Sequence, residues 1–154
     1  MTDEVRTFGE LLERYEREVL AYALRLTGRR HDAEDVFQDT FLAAFRAWPP
    51  ARRGNERAWL YRIATNKAID RRRRDARYVS VEDLRLAAPE RDGASLADLR
   101  AAVRVLPAGQ RAAFVLHRVQ GLPYREVATA LGCSEEAARA RVSEATKKLR
   151  EALR

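Results

Sequence analysis

Four consecutive arginines, Arg71, Arg72, Arg73 and Arg74, close the stretch "AWLYRIATNKAIDRRRRD", which begins at Ala58 as an apolar stripe of helical spacing. A guanidinium presents a planar fork of donors that matches phosphate oxygens, and an exposed aromatic gives an unpaired base a face to stack on. The segment therefore has the chemistry to hold a nucleic-acid strand. A helical projection places Leu60, Ile63, Ala64 and the stem of Lys67 on one side; Tyr61, Arg62, Thr65, Ile69, Arg72 and Arg73 face away, with Trp59 and Asn66 at the border. Taken alone, an amphipathic helix with a solvated basic end explains the same residues.

A second constellation is acidic. In "DAEDVFQDTFLAAFRAW", Asp32 to Trp48, the residues Val36, Phe37, Phe41 and Phe45 are spaced for a core and leave Asp35, Gln38 and Asp39 as a compact polar face. Such a face repels DNA and fits a basic protein partner. Asp32, Glu34, Asp35 and Asp39, with His31 beside them, are of metal-ligating types. Asp35 and Asp39 nevertheless share a face without another convergent ligand, and His31 stands at a helix start. His117 falls in an amphipathic segment, as a packed or surface residue. There is no glycine-rich phosphate loop, zinc-ligand cluster or nucleophile with a base at useful spacing, so no metal, cofactor or intrinsic catalysis is expected.

The third constellation is "LPYREVATALGCSEEAARARVSEATKKLREALR", which has helix-turn-helix spacing. Val127, Ala128 and Leu131 make one buried face, Gly132 permits the turn, Ser134 caps the second helix, and Ala138, Val142, Ala145 and Leu149 make the other buried face. Small residues let the two helices cross closely. The outward face then offers Glu136, Ala140, Ser143 and Lys147, with Arg139 and Arg141 at its borders, and such a helix fits the major groove. Glu135 and Glu136 favour the positive helix end but repel phosphate; one stabilises the first turn, and either could accept from a cytosine amine.

The elements that carry these residues are all helical, because no convincing alternation of period two occurs. A first helix is expected from Val5 to Thr27, with Leu11, Leu12, Tyr15, Val19, Tyr22 and Leu26 buried and Gly28 as its stop. A second runs from Asp32 to Trp48, ended by Pro49 and Pro50, and the arginine-tipped helix is the third. Residues 79–95 mix proline, glycine, serine and acids and read as a flexible linker. Ser95 caps the next helix, Pro107 interrupts it, and Ala108 to Gln120 continues to Gly121. The expected organisation is all-α: a domain over 1–78, the linker, and a helix-turn-helix domain over 96–154.

Charge divides the 154 residues along the same lines. Residues 1–45 hold six basic and ten acidic side chains, net −4; residues 46–78 hold eleven and three, net +8. The linker carries two and four, net −2, and residues 96–154 carry eleven and six, net +5. Two basic blocks behind an acidic front point to separate partners, a polyanion among them. A single cysteine, Cys133, excludes an internal disulfide and fits a reducing cytosol. No apolar run approaches the roughly 18 residues that span a bilayer, and Met1 to Glu10 is too acidic for a signal peptide, so a cytoplasmic protein is expected.

Three of these segments, in order, resemble the sigma factors of bacterial RNA polymerase, in their smallest, extracytoplasmic-function group. "AEDVFQDTFLAAFRAW" resembles the helix that docks on the clamp helices of the polymerase largest subunit. "RAWLYRIATNKAIDRRRR" is similar to the helix that engages and opens the minus-ten element, and "LPAGQRAAFVLHRVQGLPYREVATALGCSEEAARARV" to the domain that reads the minus-thirty-five element. The resemblance implies that Asp35, Gln38 and Asp39 contact core polymerase. It implies that the loop "WPPARRGNER", with Arg52, Arg53, Asn55 and Arg57, captures a flipped base. Trp59, Tyr61, Arg62, Asn66, Lys67 and Arg71, Arg72, Arg73 and Arg74 would hold the melted strand. Ser134, Glu136, Arg139, Arg141, Ser143 and Lys147 would face the upstream element, and the flap of the second-largest subunit and an anti-sigma factor would be further partners.

The recognition helix departs from the family pattern. Ala137 and Ala138 stand where a threonine and a β-branched residue are expected, and Ala140 follows Arg139, so read-out leans more on DNA shape. Two other readings compete. A stand-alone helix-turn-helix repressor or activator explains the C-terminal half but not the second basic helix or the acidic face. A nuclease or recombinase lacks the convergent ligands noted above.

Overall fold

The hydroxyl of Thr7 accepts a hydrogen bond from Glu10 N at 3.1 Å and so fixes the start of helix α1, Phe8–Thr27. Val5, expected inside the helix, precedes this cap and is buried beneath it. The chain is described as a computed structural model over residues 5–51, 54–76 and 95–154. Gly28 ends α1 with φ +75, where its amide bonds Leu24 O at 2.8 Å. A side chain there would also collide with the Arg104 guanidinium, which donates to Gly28 O at 3.1 Å.

Helix α2, Arg30–Ala47, stops ahead of Pro49 and Pro50, and α3, Glu56–Ala76, starts where Asn55 O accepts from Trp59 N. The core between these three helices is built from Leu11, Val19, Tyr22 and Leu26 of α1, Val36, Thr40, Phe41 and Ala44 of α2, and Leu60 and Ala64 of α3. Phe45 does not join them. The buried line of α2 runs through Ala33, Val36, Thr40 and Ala44, which turns Phe45 to the rim at 64% exposure, edge-on to Phe8 with ring centroids 5.2 Å apart.

Ser95 opens α4, Leu96–Val105, with a capping box: its hydroxyl accepts from Asp98 N while Asp98 accepts from Ser95 N. Pro107 separates it from α5, Ala108–Phe114. The helix expected to run on toward Gln120 is continuous, but its last part is a π-turn over Val115–Val119, in which Gln120 N bonds Val115 O at 2.8 Å. Helices α6, Tyr124–Leu131, and α7, Glu135–Ala152, meet at Gly132, φ +64, with Ser134 accepting from Ala137 N at 3.1 Å. Val127, Ala128, Ala138, Val142, Ala145 and Leu149 are buried, as the spacing predicts, and Leu131 is partly so. Helices are the only regular elements among the described residues, and residues 79–94 of the expected linker lie outside them.

One continuous apolar cluster runs from Val5 and Leu11 to Val142, so the two halves share a core. At their junction the buried Arg111 donates to Val103 O at 3.0 Å, Leu26 O at 2.9 Å, Leu106 O at 3.1 Å and Arg104 O. Its charge thereby gathers the carbonyl ends of α1 and α4, where the helix dipole favours a cation.

Candidate nucleic-acid interface

The outward face of α7 matches the expected surface. Glu136, Arg139, Ala140, Ser143 and Lys147 are exposed, Arg141 is half-buried against Gly109, and Ser134 is spent on its cap. Arg139 lies over the ring of Tyr124 at 4.5 Å. Ser143, Lys147, Thr146, Arg150 and Arg154 of α7 and its C-terminal end join Arg118 and Tyr124 around a concavity with Glu151 as its one acid. Arg150 and Arg154 continue the stripe of Ser143 and Lys147 at helical spacing, a signal available in the sequence. Arg118 was invisible to that spacing, because the π-turn shifts the phase of the residues it carries.

Helix α3 is placed differently from the expectation. It is packed on one side by α1 and α2 and on another by α6, so Tyr61 and Thr65, expected to face away, are fully buried. The Tyr61 ring meets Tyr22 edge-on at 5.0 Å, and its hydroxyl accepts from Gln120 Nε2 at 2.8 Å. Thr65 bonds Tyr22 Oη at 2.7 Å. Burial pushes the Tyr61 phenol up to about 12, with the bond from Gln120 pulling the other way. In this arrangement Tyr61 offers no face to a base.

Arg57 is also engaged. It donates to Glu18 at 2.7 Å and to Gln120 O at 3.2 Å, and lies 3.8 Å from Glu126. Burial works against its charge, but Glu18, Tyr61 and Glu126 together outweigh that and leave its pKa above the ordinary value. Gln120 completes the cluster by donating to Glu18 O at 3.2 Å and accepting from Arg25. Arg62 and Asn66 remain exposed, with Arg62 beside the turn at Gly132; Lys67 and Trp59 are half-buried, Trp59 against Trp48 at 6.3 Å. Asn55 is exposed at the helix start, and Arg52 and Arg53 lie outside the described residues.

The arginine run divides in two. Arg71 donates to Asp32 at 2.9 Å and lies 2.9 Å from Asp35, tying α3 to α2, whereas Arg72, Arg73 and Arg74 are exposed. Arg72 also reaches Arg104 O at 3.2 Å. On α2, Asp35 is thus half-buried in a cluster with Arg71 and His31, while Gln38 and Asp39 are exposed. Leu42, 53% exposed, stands four residues after Gln38 and seven after Asp35. It extends the polar face with an exposed apolar residue that periodicity hides by sorting apolar residues to the core.

Two family models match the chain: Sigma-70 region 2 over residues 11–78 and Sigma-70, region 4 over residues 96–149. It is 35% identical over 158 residues to the ECF RNA polymerase sigma factor SigE of Mycolicibacterium smegmatis, covering 96% of this chain and 62% of SigE, less than two thirds of that protein. With the RNA polymerase sigma factor CnrH of Cupriavidus metallidurans it shares 36% identity over 94% of this chain and 85% of the relative. A structure of CnrH in complex with the cytosolic domain of CnrY has a TM-score of 0.66 at 34% identity, covering 94% and 85% of the two chains. The sigma factor RpoE in complex with the anti-sigma factor NepR from Bartonella quintana superposes with a TM-score of 0.77 at 29% identity, over 97% and 98% of the two chains.

Proposed function

The chain belongs to the sigma-70 family, in its extracytoplasmic-function group, and from that premise we propose that it binds core RNA polymerase and directs it to promoters carrying minus-ten and minus-thirty-five elements. The observation that carries the reading is the exposed face of α7, where Arg139, Ser143 and Lys147 border a concavity of further arginines in a chain that also has a region 2. A helix of this kind enters the major groove while the flanking cations hold phosphates. A stand-alone repressor leaves residues 11–78 without a role.

In this reading Gln38, Asp39 and Leu42, with Asp35 beside them, dock on the clamp helices of the polymerase largest subunit, and the C-terminal half meets the flap of the second-largest subunit. Arg62, Asn66 and the exposed arginines of α3 hold the melted strand, and stacking and phosphate contacts offset the unstacking cost. Tyr61 and Arg57 join them only once α6 and Gln120 have moved off α3. The assigned boundaries are 1–78, 79–95 and 96–154. The protein acts in the cytoplasm, on the nucleoid when bound to polymerase, and takes no part in the bond chemistry. Among the described residues no helix is long and apolar enough to cross a membrane. RpoE's capture by the anti-sigma factor NepR supports a similar inhibitor for this chain.

Start-site sequencing on fragmented genomic DNA, with sigma-free core polymerase alone and with this protein added, tests the proposal. New starts sharing two spaced upstream elements are expected. No new starts, together with sequence-specific binding by the protein alone, would return the repressor reading.

A further inference from the structure

The π-turn before α6 does more than bend the chain. An extra residue in that turn re-aims its neighbours, sending Gln120 toward Tyr61 of the N-terminal half and His117 toward α6. His117 Nδ1 lies 2.9 Å from Leu122 O. A carbonyl only accepts, so Nδ1 carries the hydrogen and the ring is pinned to the turn. Its face stacks on Tyr124 with centroids 3.9 Å apart and planes 18° apart. The Arg139 guanidinium sits 4.5 Å over the same tyrosine. The Tyr124 ring thus packs against both the anchored histidine and the arginine.

We propose that Tyr124, backed by His117, is a positioning residue that presents Arg139 to one base pair of the upstream element. The inference rests on α7 being the reader of that element. Arginine carries several rotatable bonds, and an unrestrained side chain spreads its donors over many directions. Stacked on a ring that is itself anchored, the guanidinium keeps its plane fixed while its edge stays open to the concavity lined by Ser143 and Lys147. A planar fork so held suits a base edge with two adjacent acceptors, as guanine presents. Tyr124 matters all the more here because Ala137, Ala138 and Ala140 supply no polar side chain from the recognition helix.

The test uses holoenzyme assembled from core polymerase and the full chain. Templates carry the upstream element recovered by start-site sequencing, with all four base pairs placed in turn at each position. Arg139→Ala identifies the position that arginine reads. Tyr124→Leu keeps an apolar side chain but removes the ring; it should cut discrimination at that same position about 3- to 10-fold and leave the other positions unchanged, the size expected from releasing one ordered side chain. Tyr124→Phe should retain discrimination, and His117→Ala should lose part of it. Equal loss at every position in Tyr124→Leu, or no loss at the Arg139 position, would overturn the proposal by making Tyr124 a packing residue only. Wild-type holoenzyme that selects no upstream element would overturn it together with the assignment of α7.

Discussion

Arg71 of α3 and Asp35 of α2 are joined at 2.9 Å, so a residue expected on DNA and a residue expected on polymerase are bound to each other. Asp32 accepts from the same guanidinium at 2.9 Å, and the three form a brace between the two helices. The proposed docking face on α2 and the helix proposed to hold the melted strand are thereby tied to each other.

That brace separates two acids that look alike in sequence. Asp39→Ala should lower core-polymerase affinity about 10-fold and leave the melting temperature unchanged, as should Leu42→Ala at the apolar end of the face. Asp35→Ala should lower both affinity and melting temperature. Polymerase binding measured beside thermal unfolding checks this; an Asp39→Ala protein that binds normally would remove α2 from the docking surface.

Arg111 should be among the most sensitive positions in the chain. Replacing it with Met leaves the carbonyls of Leu26, Val103, Arg104 and Leu106 without their buried donor, at a cost of about 3–5 kcal/mol. Arg111→Lys should recover only a fraction, because one ammonium cannot span the directions of a fork. Denaturant unfolding gives the difference directly.

The polar cluster around Gln120 should control access to α3. Half-exposed ion pairs such as Arg57 with Glu18 contribute on the order of 0.2–1 kcal/mol, so the cluster loosens readily and more so at high salt. Gln120→Ala should speed hydrogen exchange in α3 and α6 by about 2- to 5-fold while far-ultraviolet circular dichroism stays constant. Unchanged exchange would mean that apolar contact alone holds the halves together.

Because Arg71 is occupied, the salt dependence of single-strand binding should come from its neighbours. Neutralising Arg72, Arg73 and Arg74 together should reduce the slope of log affinity against log salt by about 2, roughly 0.7 for each phosphate that then keeps its counterion. Arg71→Gln should change that slope little and destabilise the fold instead. Binding titrations with a single-stranded oligonucleotide at several salt concentrations distinguish the two outcomes.

The helix-turn-helix was legible in the sequence because its signals are local: Gly132 at positive φ, Ser134 at the cap, and a buried face set by spacing alone. What escaped depends on long-range packing. Periodicity assigns one buried face to a helix, and α3 is packed by α1 and α2 on one side and α6 on another, so periodicity puts Tyr61 and Thr65 on the wrong side. The spacing of Val36, Phe37, Phe41 and Phe45 puts Phe45 in the core, whereas the line through Thr40 and Ala44 takes that role. No local signal announces a π-turn, and without it nothing in the sequence sets Arg118 at the concavity or Gln120 against Tyr61. Arg71 reads as one of four identical residues until its partners on α2 are known.

The bond between Gln120 and Tyr61 has a consequence for how strongly any ligand binds. On the proposed reading, in which α6 and Gln120 move off α3, every partner that needs the bare face of α3 meets the same conformational discount, since only the undocked fraction of molecules accepts it. The affinity of such partners is therefore scaled by one shared factor. A substitution that shifts the docking equilibrium moves all of them together, however different their own contacts are.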